Sequence, residues 1–187
     1  MDPFHLEARL TMHVERLSAA HVQSYRALML QAYEQSAEAF TSSVTERLAM
    51  PMAWWEERVA HKAGTSVVFG ALVDGALVGA AGLDFETRER TRHKGTLFGM
   101  YVSPALRGQG IGRMLVQAVL TYAQSRPDTA LIQLTLTEGN AAALALYESC
   151  GFRTFGIEPR ALRVNGEYRS KVHMWCDVAA LPTDDAA

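Results

Sequence analysis

The sequence predicts an α/β fold, in which strands and helices alternate along the chain around one hydrophobic core. Short apolar stretches bounded by tight-turn dipeptides predict the strands, and longer stretches with an apolar residue at every third or fourth position predict the helices. The chain has 187 residues, which is typical of a single domain, and 49% of them are hydrophobic, enough to build a sizeable core. No internal repeat or linker interrupts the sequence.

The N-terminal part of the chain predicts a strand, two helices and a hairpin. Residues 11–17 alternate as in a strand, and Ser18 is a suitable N-cap for a helix over residues 19–36. Pro51 suits the first turn of a second helix, and Asp74-Gly75 is a tight-turn signal. The hairpin strands are predicted at residues 66–73 and 76–84, and the charged residues 85–94 predict either a solvated loop or a loop that meets an acidic substrate or a coenzyme.

Residues 96–113 combine an apolar strand, a glycine-rich turn and the first turn of a helix. The apolar stretch 97–102 is too short and too aromatic for a helix, and Pro104 ends the strand because it has no N–H for a ladder. From Ile111 the apolar residues fall on one helical face. Backbone N–H groups at the start of this helix, beside three glycines, suit the oxygens of a phosphate.

Two common phosphate loops do not fit this turn. A P-loop needs Gly-Lys followed by Ser or Thr, and the turn contains no lysine. The dinucleotide fingerprint needs glycines spaced GxGxxG, and the third position holds Arg113 or Leu115, depending on where the count starts. The pattern that remains is Arg107-x-x-Gly110-x-Gly112 directly after a strand, which taken alone also fits an ordinary glycine-rich turn.

The C-terminal part predicts a strand–helix–strand crossover and then a second hairpin. Residues 130–137 alternate as in a strand, and because a helix connects them to the strand at 97–102, the two strands are expected to be parallel. A ligand at the carboxyl edge of such strands is the general expectation for an open α/β sheet. The other predicted elements are a helix over residues 141–149 between Asn140 and Gly151, a strand that begins at 152–155, the turn Asn165-Gly166, and a strand over 168–176.

Two segments, in this order, resemble the coenzyme-binding region of the GNAT superfamily of N-acetyltransferases. The turn at Arg107 is similar to the loop that binds the pyrophosphate of acetyl-coenzyme A, and Asn140-x-x-Ala143-x-x-x-Tyr147-x-x-x-Gly151-Phe152 is similar to the helix that follows it. The resemblance spans residues 96–155 and implies an α/β, single-domain GNAT-like fold over residues 12–177. This fold has a mixed central sheet of about seven strands flanked by helices, with a splayed parallel pair at the coenzyme site. An N-terminal extension (1–11) and a flexible acidic tail (178–187) would flank the domain.

By this resemblance the chain is an acyltransferase, in which an acceptor amine attacks the thioester of acetyl-coenzyme A directly. The backbone of Met100 and Val102 would pair with the pantetheine arm like an added strand, and a backbone N–H near Met100 would stabilise the charged carbonyl oxygen. Tyr147 would donate a proton to the leaving thiolate, although taken alone it also fits a core aromatic. The implied coenzyme-binding residues are Met100, Tyr101, Val102, Arg107, Gly108, Gln109, Gly110, Ile111, Gly112, Arg113, Asn140, Ala143 and Tyr147.

The general base is not fixed by the resemblance. Many relatives carry a Glu early in the central strand, where this chain has Thr96. Glu86 is the first candidate, and Asp84, Glu138 and His173 are alternatives. A base is needed for some acceptors: a lysine-like amine, with a pKa near ~10.4, costs roughly 4–5 kcal/mol to deprotonate at neutral pH, whereas an α-amine near ~7.8 costs about 1 kcal/mol.

Four aromatic residues are candidates for the wall of an acceptor pocket, namely Phe40, Trp54, Trp55 and Tyr168. Core packing is the alternative for the two tryptophans. An aromatic pocket favours a small-molecule amine over a protein amine, while residues 155–173 resemble the tail of relatives that act on small amines or on ribosomal proteins. A module that senses acyl-coenzyme A without turnover is the alternative function. Tyr147 favours the enzyme, because a sensor needs no proton donor at the sulfur.

Composition narrows the other function classes. The net charge is −2 and the sequence pI about 6.3, which argues against a nucleic-acid partner. No apolar run is long enough for a membrane span and the first residues lack the apolar stretch of a signal region, so a cytoplasmic protein is expected. The two lone cysteines, Cys150 and Cys176, suggest reduced thiols, and no metal-ligand spacing occurs. A homodimer through edge strands is possible, and either Met1 or Met12 is the native start.

Overall fold

In the computed structural model, which describes residues 11–182, seven strands form one sheet in the order β1-β2-β3-β4-β5-β7-β6. All neighbouring strands are antiparallel except β4 and β5, which are parallel. The strands are β1 (Met12–Arg16), β2 (Ser66–Val73), β3 (Ala76–Phe85), β4 (Lys94–Val102), β5 (Leu131–Thr137), β6 (Arg153–Val164) and β7 (Glu167–Asp177). The helices are α1 (Val22–Gln35), α2 (Val44–Leu48), α3 (Met52–Val59), α4 (Ile111–Gln124) and α5 (Ala141–Ser149). The predicted mixed sheet of about seven strands is confirmed.

Local sequence signals account for most of these elements. The backbone of Asp74-Gly75 and of Asn165-Gly166 has positive φ at both residues, as a two-residue hairpin turn with the twist of its strands requires. The predicted helix at 19–36 begins as a 3₁₀ turn over Ala19–His21 and continues as α1. Sequence analysis did not predict α2. Its signal is the capping box in which Ser43 accepts from the Glu46 N–H and the Glu46 carboxylate accepts from the Ser43 N–H.

The parallel pair β4–β5 separates soon after it begins. Pairing covers only Lys94–Thr96 against Leu131–Gln133, although β4 continues to Val102 and β5 to Thr137. On the other side of β4, the register with β3 shifts between Ala80 and Gly82, so Gly99 and Met100 together stand opposite a single residue. This is a β-bulge, and the positive φ of +60° at Gly99 explains why a glycine stands there. The bulge and the early end of pairing leave a gap between the carboxyl ends of β4 and β5.

The sheet has a hydrophobic core on each face, and the two cores differ in extent. Helices α4 and α5 pack on one face, and β4 contributes Leu97 to that core. Helices α1 and α3 pack on the other face, where Phe98 and Tyr101 of β4 lie. Of these two helices, α1 packs on β3 and β4 and α3 packs on β2. On this second face the side chains of β5 and β7 therefore remain partly open, with Thr135 exposed and His173 half-buried.

The segment after β7 differs in part from the predicted flexible tail. Val178 is buried, and the Gln124 side-chain amide lies 3.4 Å from the carbonyl oxygens of both Val178 and Leu181. Residues 178–182 are thus held against α4 by packing and hydrogen bonds. Residues 183–187 and residues 1–10 of the predicted extension lie outside the described residues. Among the helices of residues 11–182, none combines the length and the apolar character that a membrane span needs.

Gly82 tests the packing that holds β4 in place. A Cβ at Gly82 would lie 2.3 Å from the ring of Phe98, so Gly82→Ala is expected to displace this ring and to lower the free energy of unfolding by about 1–3 kcal/mol. Gly156→Ala is the matched control, because no atom lies within 4 Å of its added Cβ. Urea denaturation of both variants measures the difference. Equal stability of the two variants would contradict this account of the packing.

Candidate active site

A cavity of about 940 Å³ occupies the gap between the carboxyl ends of β4 and β5. Its walls are the end of β4, the glycine-rich turn with the first turn of α4, the β5–α5 turn with the first turn of α5, and the segment that follows α1. The predicted phosphate loop and the predicted second segment therefore face each other across one space. Sequence analysis predicted a ligand at this edge, where the carboxyl ends of the parallel strands meet.

The turn before α4 presents a run of unpaired backbone donors to this cavity. The Met114 N–H donates to the Gly110 carbonyl at 3.1 Å, whereas the N–H groups of residues 108–113 make no hydrogen bond to other groups within residues 11–182. Gly110 is the N-cap, and its φ of +83° disfavours any residue with a side chain. Free N–H groups and the positive end of the helix dipole make this turn a binding site for an anion. Arg113, exposed at the cavity wall, adds a positive charge.

The backbone of β4 offers a second set of free groups. The Ser103 N–H donates to the Val78 carbonyl of β3 at 2.8 Å, so the alternate residue Tyr101 also faces β3. The backbone groups of Met100 and Val102 therefore point the other way, into the gap where β5 has moved away. The Val102 carbonyl accepts from Arg107 Nε at 3.0 Å, which ties the turn to the strand end. The N–H and C=O of Met100 remain open to an extended ligand.

Helix α5 brings the second predicted segment to the cavity. The Asn140 side chain accepts from the Ala143 N–H at 3.1 Å, so Asn140 is the N-cap that the sequence predicted, and both residues line the cavity. Tyr147 lies one helical turn beyond Ala143 and does not line the cavity. Its ring packs edge-on against Phe152 at 5.8 Å between centroids, and only 6% of the residue is exposed. Burial raises the pKa of the Tyr147 phenol.

The hydroxyl of Tyr147 nevertheless keeps an opening. It makes no hydrogen bond within residues 11–182, and it is not one of the fully enclosed unpaired polar atoms of this part of the chain, which are Arg26 Nε, Arg47 Nε and Trp55 Nε1. The phenol is therefore buried around the ring and accessible at its oxygen. Among the other predicted coenzyme residues, only Gln109, which is exposed, does not line the cavity, although its N–H belongs to the free run.

The predicted acceptor residues divide among three places. Phe40 lines the cavity. Trp55 is 1% exposed and belongs to the core under α1 and α3, where the half-buried Trp54 packs edge-on against it. Tyr168 is exposed on the β6–β7 hairpin, with the guanidinium carbons of Arg160 and Arg163 5.3 and 5.7 Å from its ring centre. Only Phe40 of the four therefore meets the cavity directly, and Trp55 fits the core-packing alternative.

Glu86 is not brought to the cavity. Its N–H donates to the Lys94 carbonyl at 3.0 Å, so it lies at the start of β4, six residues or about 20 Å from Met100. Glu86 is close to β4 in sequence but lies beside the start of that strand, whereas Met100 lies near its end. Of the other base candidates, Asp84 lies 3.8 Å from Arg58, Glu138 lines the cavity, and His173 lies 3.1 Å from Glu158. We therefore set Glu86 aside as the base.

Sequence analysis missed one wall of the site. The segment after α1 closes over the gap because the Thr137 hydroxyl donates to the Glu38 carbonyl and Lys171 Nζ donates to the Thr41 hydroxyl at 2.6 Å. The Tyr101 hydroxyl donates to Gln35 Oε1 at 3.0 Å and fixes the end of α1. These partners are far apart in sequence, and no local motif marks them.

Tyr25 of α1 is a further polar group beside the bulge that sequence analysis did not single out. Its hydroxyl lies 3.7 Å from where a Cβ on Gly99 would be. Burial raises the pKa of this phenol, so it is a neutral hydroxyl. No group of three or more His, Cys, Asp or Glu side chains within residues 11–182 is arranged to hold a metal ion.

Comparison with known proteins identifies the family. The chain belongs to the GNAT family of acetyltransferases, since the model described as Acetyltransferase (GNAT) family matches residues 26–152. The resemblance drawn from the sequence and the predicted acyltransferase class are confirmed.

Two relatives and one solved structure illustrate the range of this likeness. The chain is 36% identical over 104 residues to the N-alpha-acetyltransferase RimI of Mycobacterium tuberculosis, covering 52% of this chain and 58% of that protein. It is 28% identical over 120 residues to the L-amino acid N-acetyltransferase AaaT of Escherichia coli, covering 64% and 73%. The structure of yncA, a putative acetyltransferase from Salmonella typhimurium with its cofactor acetyl-CoA, matches at a TM-score of 0.76 and 21% identity, covering 95% and 99%. This last likeness shows the fold alone.

Asn140 tests how the second segment is held. Asn140→Ala removes the acceptor for the Ala143 N–H and is expected to lower the free energy of unfolding by about 1 kcal/mol. Asn140→Asp keeps an N-cap oxygen and should retain the stability of the wild type. Denaturant unfolding of the three proteins measures the effect. If the Ala variant is as stable as the wild type, the cap does not hold α5.

Proposed function

We propose that this chain transfers the acetyl group of acetyl-coenzyme A to an amine. The observation that supports this best is the pairing, in one cavity, of the free N–H run at residues 108–113 with the open backbone of Met100. The first suits the pyrophosphate and the second suits the amide-bearing pantetheine arm, which can add to β4 where β5 is absent. Acetyl-coenzyme A supplies the activated acyl group, and the residues of the chain bind it and complete the transfer.

The chain would contribute to the acyl transfer at two atoms. The Met100 N–H, freed by the bulge, is the proposed donor to the carbonyl oxygen as negative charge develops there. Tyr147 is the proposed acid for the leaving sulfur, since its ring is fixed against Phe152 and its hydroxyl is accessible. A raised pKa keeps the phenol protonated at neutral pH, which is the form that an acid must have.

The acceptor would approach from the face of the sheet that carries α1 and α3. The half-open surface over β5 and β7 adjoins the bulge on this side. Of the base candidates, His173 lies on this half-open surface, and its ring nitrogen is 3.1 Å from the Glu158 carboxylate. We propose His173 as the group that receives the proton of the ammonium, directly or through water. A small-molecule acceptor remains our proposal, and of the relatives named above the one from Escherichia coli is by its name an L-amino acid N-acetyltransferase.

Arg113 tests the coenzyme assignment. Arg113→Glu places a negative charge at the cavity wall beside the free N–H run and is expected to weaken acetyl-coenzyme A binding by about 10- to 100-fold, the value of a charged hydrogen bond. Arg163→Glu, on the exposed hairpin, makes the same change in net charge away from the cavity and should bind as the wild type does. Calorimetric titration measures both. Wild-type protein that does not bind acetyl-coenzyme A would overturn the proposed function.

Tyr147→Phe tests the proposal that Tyr147 donates a proton to the leaving sulfur. Phenylalanine keeps the packing against Phe152, so stability and acetyl-coenzyme A affinity should not change, while kcat should fall by about 10²-fold. Because burial raises the pKa of Tyr147, its ionisation should not reduce the wild-type rate up to about pH 9.5, and the rate should rise with pH as the acceptor amine loses its proton. Release of the coenzyme A thiol measures the rate. An unchanged kcat in the variant would remove Tyr147 from the mechanism, and acyl-coenzyme A binding without turnover of any amine would favour a sensor.

A further inference from the structure

Two arginines share one tryptophan beside the bulge of β4. The guanidinium carbons of Arg47 and Arg58 lie 4.5 and 5.0 Å from the ring centre of Trp54. Arg58 also lies 4.1 Å from the ring centre of Phe98, the residue that precedes Gly99 in the bulge. We call Arg47, Trp54, Arg58 and Phe98 the arginine–aromatic cluster. It stands on the face of the sheet from which the acceptor would approach.

The charges of this cluster are only partly balanced. The Arg58 guanidinium makes no hydrogen bond within residues 11–182, and its ion pair with Asp84 is long, at 3.8 Å. Arg47 donates to the Ser42 hydroxyl at 2.7 Å, forms no ion pair within the described residues, and has a fully enclosed Nε without a partner. Two guanidinium groups thus face one carboxylate. Half-buried charged donors without a hydrogen-bond partner in the protein are available to water or to a bound anion.

The geometry of Arg58 suits a planar anion. The rings of Trp54 and Phe98 lie close to the guanidinium and restrict its movement, and 27% of the side chain is exposed. A guanidinium held in this way can bind both oxygens of a carboxylate. The same two positive charges repel a cationic acceptor, which disfavours a lysine-like side chain with a second positive group.

We propose that the acceptor is a small amine with a carboxylate next to its amine, an α-amino acid, and that Arg58 binds this carboxylate while Arg47 adds a second positive charge. This inference rests on the proposed function. Arg58 lies against the ring of Phe98, the residue directly before the bulge, so an acceptor whose carboxylate meets Arg58 would lie beside this part of β4. A protein N-terminus has no carboxylate in that position and would leave Arg58 without its partner. The cluster is therefore a specificity determinant for the acceptor.

The test compares each common L-amino acid with its own primary amide as acceptor. The amide has the more easily deprotonated amine, so intrinsic reactivity favours the amide and any preference for the acid must come from binding. For the best acceptor, wild-type kcat/KM is expected to be at least about 10-fold higher with the acid than with the amide, the lower end of what a charged hydrogen bond provides. Arg58→Met should reduce this ratio about 10-fold or more, and Arg47→Met should reduce it less.

Three controls make the result interpretable. Arg88→Met removes an exposed arginine of the β3–β4 loop, away from the cluster, and should leave the ratio unchanged. Arg58→Lys keeps the charge without the planar fork and should give an intermediate ratio. Calorimetric binding of acetyl-coenzyme A by each variant shows that it is folded, since neither arginine lines the coenzyme cavity.

The outcomes separate this inference from the proposed function. Amides accepted as well as acids, or a ratio that Arg58→Met does not change, would overturn the inference and leave the acetyltransferase intact. The same holds if only a peptide with a free N-terminus is acetylated. Failure to bind acetyl-coenzyme A would overturn both. A preference for acids that Arg58→Met removes, with acetyl-coenzyme A still bound, supports the carboxylate site.

Discussion

The site depends on the early end of pairing between β4 and β5. A strand buried in a sheet has no free N–H or C=O groups, because its neighbours satisfy them. Here the pairing of β4 with β5 stops after Thr96. The pairing of β4 with β3 continues to Val102, interrupted only by the bulge at Gly99. The Met100 backbone is therefore ordered by one neighbour and open on the other side. An extended ligand can take the place of the missing strand at little conformational cost to the protein.

The same separation places two different surfaces on either side of β4. On the side of α4 and α5, the cavity presents the free N–H run and Arg113, which suit an anion. On the side of α1 and α3 lie Tyr25, the arginine–aromatic cluster and the half-open surface over β5 and β7. Two ligands could therefore approach the bulge from opposite faces and meet there. Direct transfer between them needs no covalent intermediate on the protein, and neither Cys150 nor Cys176, both buried, is placed to form one.

Burial of the phenols suits the proposed chemistry. A phenol surrounded by apolar groups keeps its proton because the phenolate would lose solvation. This holds for Tyr147 near the cavity and for Tyr25 near the bulge, and burial raises the pKa of both. Each can donate a hydrogen bond without competing for the acceptor proton. The charged groups of the site, in contrast, lie at its partly exposed edges, where hydration reduces their cost.

The sequence by itself determined the features that depend on a few adjacent residues. The two hairpin turns, the N-cap of α5, the glycine-rich turn before α4 and the family all follow from short motifs, because a backbone conformation such as a positive φ restricts which residue can occupy it. The predicted coenzyme residues largely share one cavity for the same reason, since both motifs end at the carboxyl edge of parallel strands.

Only the tertiary structure decided which distant side chains meet. Glu86 is close to β4 in sequence but lies at its far end, and Trp55, which sequence analysis offered for a pocket, is enclosed in the core. Tyr25 comes to the bulge, and Arg47 and Arg58 come to one indole ring, because α1 and α3 pack over the strands and α2 packs against α1. Such contacts join residues tens of positions apart and depend on packing of whole elements, so no local pattern encodes them.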